Sequence, residues 1–147
     1  MSAYDECYLD SMFQKHRYLF KLIARNCEDA FETITKYMNC DYRYNMDQGN
    51  PLFLNKTPKQ ILGSLGVTVN LSASISEQYD EFIMEWMADI YTYLQWKYNL
   101  LSQDIVNKIQ PKELYFKYYP LHETSIENFI NNNNGNIPVG SLYRPKG

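Results

Sequence analysis

The chain has 147 residues, 45% apolar and 21% charged, a balance that suits one globular domain burying roughly two-thirds of its unfolded surface without a metal or disulfide staple. A formal net charge of −3 gives the whole molecule no pull toward nucleic acid or an anionic membrane, and no apolar run approaches the ~18 residues of a membrane span. Cys7, Cys27 and Cys40 form no close-spaced pair and the acidic N-terminus has no apolar signal core, so the expected setting is the cytoplasm, with free thiols.

Helix one is predicted from near Ala3 to Arg25, with Tyr4, Tyr8, Met12, Leu19, Leu22 and Ile23 on one broad face. Asn26 can cap a second helix with the apolar stripe Cys27, Ala30, Phe31, Ile34 and Met38. That pattern fades through Tyr42-Arg43-Tyr44, and Asp47 to Pro51 ends the element with turn chemistry. Thr57-Pro58-Lys59-Gln60 reads as a capping box that starts a short helix carrying Ile61, Leu62 and Leu65, and Gly66 stops it. The stretch Val67 to Ile75 is read as loop, since a lone strand has no partner.

The strongest element is predicted over Ser76 to about Tyr98, where Phe82, Ile83, Trp86, Met87, Ile90, Tyr93 and Leu94 share one apolar arc. Ser102 with Asp104 starts another short helix, and Pro111 permits a further turn or two to Tyr118. Thr124-Ser125-Ile126-Glu127 opens a last helix. Together these predict an all-α fold, an irregular bundle of six or seven helices around a central helix at about 76–98. One domain is expected over 1–134, with an extended tail over 135–147.

Chemistry-bearing patterns are sparse. His16 and His122 are the two histidines and neither sits at metal-ligand spacing, so no metal site is expected, and no Gly-rich phosphate loop or nucleophile elbow predicts a cofactor. An enzyme using Cys7 or His122 is a third-ranked reading. Glu81, Glu85 and Asp89 stack at four-residue spacing on the central helix, with Trp96 close to the same line, and like charges so spaced repel by a few tenths of a kcal/mol each. Arg17, Lys21 and Arg25 mirror them on helix one. Two readings stand: the lines pair internally or are both solvated, or the acidic line with Trp96 is a docking face for a basic partner.

The surplus of Tyr, 14 against 7 Phe and 2 Trp, suits half-wet contact surfaces and equally reflects AT-rich coding. The Tyr42-Arg43-Tyr44 region is the second candidate contact. Ser102 to Tyr118, with Lys108, Lys112 and Lys117, imitates a helix-turn-helix, which makes a DNA-binding transcriptional regulator the alternative. Its second helix lacks the Arg, Gln and Asn that read base edges, so nucleic acid is not the favoured partner.

Glu81-Phe82-Ile83, Ile90-Tyr91, Ser102 with Ile105-Val106, Tyr118-Tyr119, Leu121-His122 and Ile126 with Phe129-Ile130 form a pattern over residues 81–130. It resembles a family of short uncharacterised Firmicutes proteins encoded in toxin-antitoxin-like cassettes. The resemblance implies a partner-binding, antitoxin-like role and brings no catalytic residues with it. The leading expectation is a protein-binding neutraliser that blocks the active or nucleic-acid-binding surface of another protein, either as an antitoxin or as a phage inhibitor of a bacterial defence enzyme. The expected partner is a protein with a basic surface, with no cofactor and no membrane, and the residues expected to contact it are Glu81, Glu85, Asp89, Trp96, Tyr42, Arg43 and Tyr44.

Overall fold

The structure, a computed structural model, describes residues 1–70, 73 and 78–118. Those residues form eight α-helices and no strand: α1 Leu9–Asn26, α2 Ala30–Met38, α3 Asp41–Asp47, α4 Pro51–Leu54, α5 Pro58–Ser64, α6 Glu81–Tyr98, α7 Ser102–Lys108 and α8 Pro111–Phe116. The all-α bundle expected from the sequence is what forms. No helix among the described residues is long and apolar enough to cross a membrane. The last helix expected at Thr124, the tail at 135–147 and most of Val67 to Ile75 lie outside the described residues; Val67 to Asn70 carry neither helix nor strand.

The first helix starts later than its apolar pattern suggests. The Asp5 carboxylate accepts from the Cys7 N–H and caps a 3-10 turn at Glu6–Tyr8, and α1 follows it. Residues before that turn are tied to the far end of α6, where the Ala3 N–H donates to the Trp96 carbonyl at 2.9 Å. Asn26 does not cap α2; it ends α1, its side-chain amide donating back to the Leu22 carbonyl. Asp29 caps instead, accepting from the Glu32 N–H, because the chain first turns out of α1 at the extended Cys27. The fading pattern at Tyr42-Arg43-Tyr44 marks a separate helix, α3, and Asn50 with Pro51 opens α4, which raises the helix count above the expected six or seven. The capping box at Thr57 and Gln60 forms as read, and α5 is closed by Gly66 at φ +78°.

Central α6 begins at Glu81, later than the start near Ser76 that its pattern suggests, and Asp80 caps it: the Asp80 carboxylate accepts from the Phe82 and Ile83 N–H groups. Ile83, Met87, Ile90 and Leu94 are buried as expected, but so are Met84, Ala88, Tyr91 and Gln95. Contact with α1 on one side and with α7 and α8 on the other shifts the buried arc by one stripe. Trp86 and Tyr93 are left half-buried, and Phe82 is 76% exposed.

Candidate functional site

The two charged lines meet. Arg17 Nε donates to Asp89 Oδ1 at 2.6 Å, Lys21 Nζ lies 3.3 Å from Glu85 Oε1, and Arg25 Nε donates to Glu81 Oε2 at 2.6 Å. Each step of four up α1 is a step of four down α6, so the helices run antiparallel and the ladder fixes their register. Both arginines bind their carboxylates with two nitrogens, the geometry in which an ion pair is strongest. The Glu81 carboxyl is held below its ordinary range by the Arg25 hydrogen bonds, whereas burial pushes Asp89 up in spite of Arg17. The repulsion along the acidic line is thus offset within the molecule, and Glu81, Glu85 and Asp89 do not present the free docking face that one reading expected. Trp96 is also engaged: its indole N–H donates to the Tyr4 carbonyl at 2.8 Å and anchors the N-terminal strap.

Tyr42, Arg43 and Tyr44 do not share a surface either. Tyr44 is 45% exposed, Tyr42 packs edge-on to Phe53 at 5.3 Å, and Arg43 is only 1% exposed. Arg43 lies inside a polar core that the sequence hid on apolar helix faces. Its Nη1 is 3.1 Å from Asp47 Oδ1, without the alignment of a hydrogen bond, and its Nε has no hydrogen-bond partner. The Asp47 carboxylate in turn accepts from the Ser102 N–H and Oγ–H, both at 2.7 Å, joining α3 to the start of α7.

His16 belongs to the same core rather than to the surface. Its Nδ1 faces the Met12 carbonyl at 2.9 Å, which can only accept, so Nδ1 carries the proton and Nε2 accepts from the Tyr37 hydroxyl at 2.7 Å. Burial first, then Arg43 and Lys15, keep His16 neutral well below its ordinary range. Among the described residues no group of three His, Cys, Asp or Glu is arranged to hold a metal ion. The Cys7 thiol is held above its ordinary pKa by Asp5 and the Cys40 thiol by burial, the opposite of nucleophile activation. His122 lies outside the described residues.

An open groove of about 910 Å³ runs between α2 and the α7–α8 corner. Its wall is an aromatic cluster. Phe31 meets Tyr79 and Tyr115 edge-to-face, each at 5.3 Å, and Phe116 meets Tyr115 at 5.3 Å. The hydroxyls of the wall are already committed. Tyr79 donates to the Glu28 carbonyl and accepts from the Ala30 N–H, and Tyr115 accepts from the Asp80 N–H. The rings are therefore held in place, with Phe116 67% exposed at the edge. Glu28, Asp29 and Glu32 form the acidic side of the lining, and Lys112 stands among the α8 residues. These residues come from four separate segments; the sequence showed a surplus of Tyr and placed Phe31 on the apolar stripe of the second helix, but nothing in it joined them.

The α7–α8 corner has the outline of a helix-turn-helix, but Pro111 and Leu114 are buried, Lys117 is paired with Glu113 at 3.0 Å, and Lys112 faces the acidic groove. Fold and site together define an all-α bundle with an aromatic groove on one side. No protein-family model matches the chain, and no curated protein and no solved structure matches it.

Proposed function

We propose that the chain is a protein-binding neutraliser, which blocks the active or nucleic-acid-binding surface of another protein as an antitoxin or a phage inhibitor of a defence enzyme does. The observation that carries this reading is the aromatic groove between α2 and α8. Aromatic side chains are the commonest anchors of protein interfaces, because each supplies a large contact area for little rotamer entropy. Here the cost is lower still at Tyr115, whose hydroxyl accepts from the Asp80 N–H and whose ring packs edge-on against Phe31 and the buried Tyr79 before any partner arrives. The α6 acids are paired with the cations of α1, so the reading rests on this groove and not on the acidic line.

The test is an affinity pull-down from the native cell extract with mass spectrometry, washed at about 0.5 M salt to remove loose charge-driven contacts. One stoichiometric protein retained by the wild type and lost with Phe116→Ala is the expected result. Capture that ignores Phe116→Ala, or recovery of nucleic acid alone, refutes the proposal.

A further inference from the structure

Resting on the neutraliser reading, we infer that the groove takes a basic segment of the partner, with a Lys or Arg stem lying along the rings of Phe31, Tyr115 and Phe116. Charge sets the sign of the occupant. The groove is lined by three carboxylates and one ammonium. Asp29 is committed to capping α2, which leaves Glu28 and Glu32 to meet an incoming cation. Glu32 is shared with Lys36 only loosely, at 3.6 Å with both side chains more than 60% exposed, and such a pair gives way at little cost.

The rings set the kind of side chain. Phe116, 67% exposed, and the half-buried Phe31 and Tyr115 line the groove, and a cation over an aromatic face is attracted by the ring quadrupole. A long side chain with an apolar stem and a charged head matches such a wall. A nucleic-acid backbone is excluded by the same carboxylates, and a purely apolar helix would bury them unpaired.

The test uses the full chain and a fluorescently labelled short peptide of lysine, arginine and leucine, with a counterpart in which glutamate replaces every cation. Anisotropy titration is expected to show saturable binding of the basic peptide alone. Phe116→Ala, and separately Glu28→Lys with Glu32→Lys, each weaken it about tenfold or more. Phe116, Glu28 and Glu32 are all exposed, so circular dichroism should be unchanged, and the charge pair alone decides the matter should the Phe116 variant lose its fold. No binding, equal binding of the glutamate peptide, or variants that bind as the wild type does would overturn the inference. So would concentration-dependent self-association in sedimentation that Phe116→Ala abolishes, since the occupant would then be a second copy. If the peptide fails while the pull-down still yields a protein lost with Phe116→Ala, the basic occupant falls and the neutraliser reading stands.

Discussion

Removing the Asp47 carboxylate should be among the most damaging single changes in the chain. In Asp47→Ala the Arg43 guanidinium, 1% exposed and already without a partner at Nε, loses its countercharge. Breaking a buried pair from one side costs about 3–5 kcal/mol. The Ser102 N–H and hydroxyl also lose their acceptor, at about 1–3 kcal/mol per orphaned group. These losses share one cavity and are not additive, so the expected total is about 4 kcal/mol, against a typical domain stability of about 5–15 kcal/mol. Urea unfolding followed by far-UV circular dichroism should show the midpoint falling by about 2 M for an m-value near 2 kcal/mol/M. Asp47→Asn, which keeps an acceptor for Ser102, should fall between that variant and the wild type. Arg43→Met with Asp47→Leu should recover most of the loss, because it leaves no charge behind. A midpoint shift below about 0.3 M for Asp47→Ala would show that the pair is not buried and that the α3–α7 joint contributes nothing.

Because His16 stays neutral when folded, the unfolded chain binds the extra proton below about pH 6.5, and stability falls as pH drops through that value by about 1.4 kcal/mol per unit. The dependence of the urea midpoint on pH between about 7.5 and 5.5 should lose that slope in His16→Gln. Charge reversal of Glu81 and Asp89 together should lower stability by about 1–2 kcal/mol, since both sites are partly exposed; adding Arg17→Glu and Arg25→Glu should restore it, and a double reversal with an unchanged midpoint would dismiss the ladder. Gly49→Ala should cost more than Gly66→Ala by calorimetry: both sit at positive φ, but a Cβ at Gly49 meets the Ala3 carbonyl at 3.1 Å while one at Gly66 meets nothing. Asn99→Gly, at φ +54° where α6 ends, should raise the melting temperature slightly.

Local signals in the sequence translated well into structure. The Thr57 box, the break around Asp47 to Pro51 and the start at Pro111 each depend on chemistry within a few residues. Pairing of Arg17, Lys21 and Arg25 with the α6 acids was one of two readings, and spacing alone could not choose, because a stripe of charge looks the same against water and against a partner helix. The polar core was hidden for the converse reason. His16, Thr92, Gln95 and Ser102 are buried on faces whose apolar neighbours set the pattern, and only tertiary packing joins Ser102 to Asp47 across 55 positions of chain. The groove was least visible of all, since Phe31, Tyr79 and Tyr115 meet only after α2, α6 and α8 have packed.

The α1–α6 ladder also limits how the two longest helices can err. Its pairs recur at every helical turn, so α1 cannot creep along α6 by one or two residues without separating all three pairs at once. A slip of four residues would be the nearest alternative, and it re-forms two pairs in either direction: Arg17 with Glu85 and Lys21 with Glu81 one way, Lys21 with Asp89 and Arg25 with Glu85 the other. The two helices therefore form a ratchet with one deep notch and a shallow one on each side of it, about 6 Å away. A mis-set chain would be caught in a discrete, countable state instead of spreading over a continuum of loose packings.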